Sequence, residues 1–86
     1  MQLESTRGRR FVVLNVADNV ATLLDENLDM DCLENKTFIE LGIPFGHKVS
    51  LSFIAKGEPI VKYGVEIGTA TNSIEQGEHV HVHNCE

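Results

Sequence analysis

The amino-acid sequence predicts a small all-β protein. Short runs of β-branched and apolar residues alternate with turn residues along the chain, and glycines punctuate its second half. A chain of 86 residues forms one small domain that buries a modest fraction of its surface. Its strands, about six or seven by this spacing, must therefore curl on themselves as a small barrel or a folded-over clip.

The first half of the chain contains three predicted strands. Apolar, β-type runs at residues 11–14 and 20–24 predict the first two, with a turn signal between them at residues 18–19. Residues 25–35 are acidic and poor in β-forming residues, so we expect a solvated loop with one helical turn. The β-propensity of residues 36–41 predicts the third strand.

A loop containing glycine and proline, residues 42–46, leads into the next predicted strand. Residues 47–52 alternate in polarity, which places Val49 and Leu51 on one face. His47 shares the parity of this apolar pair. It lies at the mouth of the strand, where we expect the loop to expose its ring.

A short motif occurs twice, 20 residues apart. Residues 54–58 and 74–78 each contain an isoleucine, two variable residues and Gly-Glu, and each leads into a β-type run. Two copies make a local repeat and not a solenoid. The equivalent places of Glu58 and Glu78 predict a shared turn-forming role. A positive φ or a close backbone approach best explains five glycines: Gly46, Gly57, Gly64, Gly68 and Gly77.

Three of the four histidines lie at two-residue spacing near the end of the chain: His79, His81 and His83. In an extended strand they would share one face, while Val80 and Val82 would turn to the core. Same-face neighbours lie roughly 7 Å apart, so two rings could lean onto one metal ion or one anionic substrate. The alternative is a polar outer face of a terminal strand.

The composition argues against several classes of partner. A formal net charge of −6 disfavours nucleic-acid binding, which needs clustered Lys and Arg. The basic cluster at residues 7–10 belongs to residues 1–10, which we expect to be a flexible N-terminal tail. No apolar run is long enough to span a membrane, and no signal-peptide region follows Met1. Two cysteines are too few for a disulfide framework, so we expect a cytoplasmic protein with reduced thiols.

Four ordered motifs give the sequence a resemblance to a known family: residues 43–48, 54–64, 67–71 and 77–84. They resemble the amino-terminal domain of altronate and galactarate dehydratases, which is a separate small subunit in relatives such as sulfolactate sulfo-lyase. Residues 18–21 also match the family's early Asp-Asn-Val-Ala segment, whereas the acidic loop at 25–35 departs from its pattern. The resemblance implies an SAF-type β-clip domain over residues 11–86.

The resemblance also implies a function. The chain would be the small subunit or N-terminal domain of a hydro-lyase that dehydrates a sugar acid with a divalent metal ion, Fe²⁺ or Mn²⁺. A larger catalytic chain would complete the site, and this chain alone would be inactive. Two alternatives stay open: a sulfolactate sulfo-lyase small subunit, and a non-catalytic SAF module that binds a small anion or an oligomeric partner. Assembly into a homo-oligomer also stays open.

The histidines suit such a site because imidazole serves as a neutral ligand and as an acid–base group near neutral pH. Fe²⁺ and Mn²⁺ accept imidazole together with substrate oxygens. The expected metal ligands are His79, His81 and His83. The resemblance adds His47 from a separate loop, so the expected catalytic residues are His47 and His81. A loop-capping, structural His47 is the alternative.

Three further residues are expected to bind the substrate: Lys48, Lys62 and Asn84. The lysines would contact a carboxylate, and Asn84 would bond a substrate hydroxyl. The alternatives are that Asn84 only ends the strand and that Tyr63, beside Lys62, packs on the small core.

Overall fold

The computed structural model describes residues 8–86, which form six short strands and no helix. The strands are β1 (Phe11–Val12), β2 (Val20–Leu23), β3 (Lys48–Ser50), β4 (Pro59–Lys62), β5 (Val65–Thr69) and β6 (His79–Val80). The all-β prediction is confirmed. Across residues 8–86, no helix is long and apolar enough to cross a membrane. The cytoplasmic location stays a prediction.

The strands form two antiparallel sheets. Four of them lie side by side in the order β1-β2-β3-β6, and β4 and β5 form a separate hairpin. Val49 on β3 lies opposite Ala21 on β2 and opposite His79 on β6. Directly opposite residues share one face of a sheet, so this register decides where His79 points.

Two apolar clusters form the core, one on each face of the four-stranded sheet. The first contains Val20, Ile54, Ile60, Ala70, Ile74 and Val80. The second contains Ala21, Leu23, Leu33, Ile39, Ile43 and Val49. Each large aliphatic side chain buried in this way stabilises the fold by roughly 1.5–3 kcal/mol. Strand β2 contributes to both clusters, which explains why all four of its residues are buried.

The predicted repeat forms two equivalent turns that face each other. Ile54 and Ile74 exchange backbone hydrogen bonds, each 2.8 Å long. In the first turn the Glu58 carboxylate accepts from the backbone N–H three residues earlier at 2.7 Å. Glu78 does the same in the second turn at 2.9 Å. The shared turn-forming role predicted for the two glutamates is confirmed.

The predicted glycine geometry is also confirmed. Four of the five glycines have positive φ angles: Gly46, Gly57, Gly64 and Gly77. The fifth, Gly68, allows a close approach, because an added Cβ would lie 2.7 Å from the carbonyl oxygen of Glu86. Real Cβ atoms do not approach so closely, so a side chain at residue 68 would displace the last residue of the chain.

The strand predicted over residues 36–41 is wrong. The segment forms only an isolated bridge at Phe38, whose side chain is 77% exposed. Lys36 adopts a left-handed φ of 75°, which breaks an extended run before it starts. Farther along, the N–H of Glu40 donates to the carbonyl of Gly77 at 2.9 Å. The segment therefore bonds to residues 31–33 of the acidic loop and to a turn, and it joins neither sheet.

Arg9, which the sequence analysis assigned to the N-terminal tail, is buried. Its guanidinium pairs with the Asp25 carboxylate at 2.8 Å and also donates to the carbonyls of Asp25 and Ile43. These acceptors replace the water that a buried arginine loses. The same contacts hold the acidic loop against the residues that precede β1. The acidic loop itself forms turns and isolated bridges where one helical turn was expected. Residues 1–7 of the predicted tail lie outside the described residues.

Candidate metal centre

Three histidines converge at the β6 edge of the four-stranded sheet. The ligand nitrogens of His47, His79 and His81 all lie within 4.8 Å of one another. Nδ1 of His47 is 3.0 Å from Nε2 of His79. The rings of His47 and His81 stack with their centroids 4.3 Å apart and their planes 13° from parallel. We call these three side chains the histidine triad.

A tight turn fixes His47 just before β3. Its N–H donates to the carbonyl of Pro44 at 3.1 Å, and its carbonyl accepts from the N–H of Leu23 at 3.0 Å. The preceding Gly46 has a φ of 83°, and its N–H donates to the carbonyl of Leu23 at 2.8 Å. Two backbone bonds to one residue of β2 therefore align His47 with the sheet.

Strand pairing fixes His79. Its position opposite Val49 puts its ring on the face of the second apolar cluster. Its N–H also donates to a carboxylate oxygen of Glu40 at 3.2 Å, a contact between residues 39 apart in sequence. The sequence analysis missed Glu40, because no periodic pattern or motif connects it with the histidines.

A turn, and not a strand, brings His81 into the triad. Strand β6 ends at Val80, which is buried as predicted. Oδ1 of Asn84 accepts from the N–H of His81 at 2.9 Å, and Nδ2 of Asn84 donates to the carbonyl of His79 at 2.9 Å. The predicted continuation of the strand is wrong, because this bonding bends the chain and leaves Val82 82% exposed.

His83 lies at the margin of the triad. Its side chain is exposed, and its ring centroid is 5.4 Å from that of His79, with the planes tilted by 53°. Among the described residues it is outside the group whose ligand atoms lie within 4.8 Å of one another. Its role as a metal ligand stays a prediction.

The surroundings of His79 favour its neutral form. Burial, followed by the positive charges that His47, His83, His81 and Lys48 carry when protonated, lowers the pKa of His79 from 6.5 to about 4. Burial and the charge on His47 also lower the pKa of His81. At neutral pH His79 is therefore uncharged, and one of its ring nitrogens is available as an acceptor or a metal ligand.

Comparison with known proteins identifies the family of this chain. The model of the altronate/galactarate dehydratase SAF domain matches residues 9–86. The chain belongs to this family. The resemblance carried by the four sequence motifs is confirmed, and the start of the match at residue 9 agrees with the burial of Arg9.

The curated relatives of this SAF domain include two kinds of lyase. Over 42 residues it is 55% identical to (2R)-sulfolactate sulfo-lyase subunit alpha from Chromohalobacter salexigens, covering 49% of this chain and 45% of that protein. Over 43 residues it is 46% identical to the protein of the same name from Paracoccus pantotrophus, covering 50% of this chain and 64% of that protein. Over 78 residues it is 35% identical to altronate dehydratase from Escherichia coli. That alignment covers 87% of this chain and 16% of the dehydratase, so each relative extends well beyond the matched part.

The histidine triad of the SAF domain fits a divalent metal ion. Nitrogen ligands with bonds of about 2.1 Å lie roughly 3 Å apart around one ion, and the nitrogens of His47 and His79 are 3.0 Å apart. The nitrogen of His81 lies within 4.8 Å of both, a separation that rotation about its own side-chain bonds can shorten. Imidazoles of this kind suit Fe²⁺ and Zn²⁺.

The two lysines predicted to bind substrate lie in different parts of the SAF domain. Lys48 is opposite Val80 on β6, so its side chain leaves the sheet on the face away from His79. Its charge still contributes to the lowered pKa of His79. Lys62 ends β4 in the other sheet, with its Nζ 4.9 Å from the centre of the Tyr63 ring. Both substrate-binding roles stay predictions.

Proposed function

We propose that this SAF domain is the small subunit or amino-terminal domain of a lyase that dehydrates a sugar acid of the altronate or galactarate type. The convergence of His47, His79 and His81 carries the proposal, because their ligand nitrogens all lie within 4.8 Å of one another and imidazole is a common ligand of Fe²⁺. The family match supports the class of reaction.

Dehydration of a sugar acid removes a proton from the carbon next to the carboxylate and expels the hydroxyl from the neighbouring carbon. The electron pair of the broken C–H bond forms a double bond, and the hydroxyl leaves as water after it takes up a proton. The resulting enol rearranges to a 2-keto-3-deoxy acid. A bound divalent ion, proposed to be Fe²⁺ or Mn²⁺, stabilises the second negative charge that develops beside the carboxylate.

The triad divides this work among its members. His79, held by strand pairing and neutral above its pKa of about 4, holds the ion. His81 would hold it from the turn that follows β6. His47 enters from a separate loop; one of its ring nitrogens would hold the ion, and the other would take up or release a proton as the acid–base group.

A larger chain completes this site. The sulfo-lyase relatives are named as alpha subunits, and the aligned part of the dehydratase relative is 16% of its length. Three imidazoles leave much of the ligand shell of Fe²⁺ or Mn²⁺ to substrate oxygens and to other groups. The SAF domain alone is therefore proposed to be inactive, and the larger chain supplies the substrate pocket.

A sulfolactate sulfo-lyase subunit is the second candidate function. The 55% identity over 42 residues to a subunit of that name favours it. The reaction would then break a carbon–sulfur bond instead of a carbon–oxygen bond, while proton removal next to a carboxylate stays the same. The pocket of the larger chain would select the leaving group.

Reconstitution tests the proposed function. The purified chain is combined with the proposed larger chain, supplied with Fe²⁺ or Mn²⁺, and assayed with altronate, galactarate and sulfolactate. We expect a 2-keto acid from one of these substrates, and only when both chains and the metal are present. Absence of product from all three would contradict the proposal.

Substitutions in the triad test the metal site separately. Loss of a residue that only orients a ligand weakens metal binding roughly 10–100-fold, so His47→Ala, His79→Ala and His81→Ala should each weaken Zn²⁺ binding by about 100-fold or more. Isothermal titration calorimetry measures the effect. His83→Ala removes the same kind of ring just outside the triad and is the matched control. An equal loss in that variant would show that the ligand set is not the triad.

A further inference from the structure

Asn84 forms a side-chain clamp between His79, on β6, and His81, in the turn that follows it. Its side chain is 2% exposed. Its amide donates to the carbonyl of His79 and accepts from the N–H of His81, both at 2.9 Å. Its own N–H donates to the carbonyl of His81 at 3.0 Å. The predicted contact of Asn84 with substrate stays a prediction, whereas these bonds give its amide a defined structural task.

Asn19 forms the same clamp in the other half of the repeat. Its Nδ2 donates to the carbonyl of Pro59 at 2.9 Å, and its Oδ1 accepts from the N–H of Val61 at 2.8 Å. Its N–H donates to the carbonyl of Val61 at 3.1 Å. Pro59 and Val61 precede His79 and His81 by the 20-residue period of the repeat. We call β3, β6 and Asn84 the histidine frame, and β5, β4 and Asn19 the apolar frame.

We propose that Asn84 is a positioning residue for the histidine triad, which sets the distance and direction between the rings of His79 and His81. This inference rests on the proposed metal-binding role of the triad. Strand pairing fixes His79 but ends at Val80. The backbone of His81 is therefore held by the two bonds to Asn84, one to the side chain and one to the main chain.

The chemistry of the side chain suits this task. The clamp needs one donor and one acceptor at a fixed separation, and a primary amide carries both. An alanine would leave the carbonyl of His79 and the N–H of His81 without these partners in a part-buried place. An aspartate would keep the acceptor for His81 and lose the donor for His79.

Metal binding by matched variants tests the inference. The full chain and its Asn84→Ala and Asn19→Ala variants are titrated with Zn²⁺, and urea unfolding is measured for each. Both variants should lose similar stability, because they lose equivalent bonds. Asn84→Ala should bind Zn²⁺ about 10–100-fold more weakly, the range found when a residue that orients a ligand is lost. Asn19→Ala should bind like the parent. Unchanged binding by Asn84→Ala, or equal weakening in both variants, would overturn the positioning role.

Asn84→Asp is the second variant in case Asn84→Ala does not fold. It keeps the acceptor for the N–H of His81, so it should bind Zn²⁺ more tightly than Asn84→Ala but more weakly than the parent chain. Binding as tight as that of the parent would show that the lost donor bond to His79 does not position the ring.

A metal-free measurement separates this inference from the proposed function. NMR cross-relaxation between ring protons should detect the stacked pair of His47 and His81, whose centroids are 4.3 Å apart. We expect the signal in the parent chain and in Asn19→Ala, and its loss in Asn84→Ala. If the parent chain bound no metal, the metal-binding role of the triad in this chain would fail while this signal still decided the role of Asn84. A signal that persists in Asn84→Ala would overturn it.

Discussion

The histidine frame and the apolar frame share one backbone arrangement but present different side chains. In both, an asparagine clamps two residues that flank a buried one, with bonds of 2.8–2.9 Å. The clamped pair is His79 and His81 in the first frame and Pro59 and Val61 in the second. The backbone arrangement does not depend on the histidines, because it occurs in both frames while the potential metal ligands occur in the histidine frame.

The frames also differ in what covers them. An added Cβ on Gly77 would lie 2.1 Å from the carbonyl oxygen of Phe38, whereas one on the equivalent Gly57 would have nothing within 4 Å. The segment that follows Phe38 carries Glu40, whose carboxylate accepts from the N–H of His79. This segment covers the turn at Gly77, before the histidine frame, whereas the equivalent turn at Gly57 is open.

The largest expected difference between the frames follows from these two glycines. Both have left-handed φ angles, 91° at Gly57 and 86° at Gly77, so alanine at either place costs about 1–2 kcal/mol through its Cβ. Gly77→Ala must also displace the backbone at Phe38, which adds roughly 1–3 kcal/mol. Urea unfolding of both variants measures the difference. Equal losses of stability would show that the covering segment packs loosely over Gly77.

The sequence predicted the frames better than it predicted the site. The glycines and glutamates of the repeat are local signals, and each encodes a turn through its own φ angle or side-chain bond. The period-2 spacing of the histidines correctly placed Val80 in the core. It could not show that the strand ends at Val80, because the end depends on which backbone groups form hydrogen bonds with the side chain of Asn84.

The remaining contacts of the site depend on tertiary packing. His47 meets His79 across 32 residues, and only the family resemblance, not periodicity, joined them. The segment at residues 36–41 has the β-propensity of a strand but bonds to the acidic loop and to the turn at Gly77 instead of joining a sheet. Propensity reports what a segment can form, and the available neighbours decide what it does form.

The pH dependence of stability provides a second, smaller contrast. The pKa of His79 is about 4 in the folded chain and has an ordinary value of 6.5, whereas the equivalent Pro59 carries no titratable group. As the pH falls from 6.5 to 4, the unfolded chain takes up a proton at this residue before the folded chain does. The free energy of unfolding should therefore decrease across that window and keep the full contribution of His79 above it.

Urea unfolding of the parent chain and of His79→Gln, each with a chelator present, measures this contribution. The difference in stability between the two should change between pH 6.5 and pH 4 and stay constant above pH 6.5. Asp18 and Asp25 have pKa values lowered from 3.8, so they lose their own contributions mainly below this window. A difference that is flat with pH would contradict the burial of a neutral His79.

The smallest expected effect concerns the two glutamate turns. Removing the carboxylate with Glu58→Ala or Glu78→Ala deletes one side-chain bond to the backbone, which is worth about 0.5–1.5 kcal/mol. The second turn has additional support, because the buried hydroxyl of Ser50 accepts from the N–H of Glu78 at 3.1 Å and donates to the carbonyl of Glu75. The apolar frame has Ala70 at the equivalent place and lacks this hydroxyl.

Glu78→Ala should therefore cost slightly less stability than Glu58→Ala. In a Ser50→Ala background the two substitutions should lower the free energy of unfolding equally, because the second turn then lacks the hydroxyl that supported it. Urea unfolding of the four combinations forms a double-mutant cycle that isolates this coupling. Glu58→Gln and Glu78→Gln keep an acceptor oxygen and serve as controls for the loss of charge. A cost of Glu78→Ala that does not depend on Ser50 would mean that the hydroxyl and the carboxylate hold the turn independently.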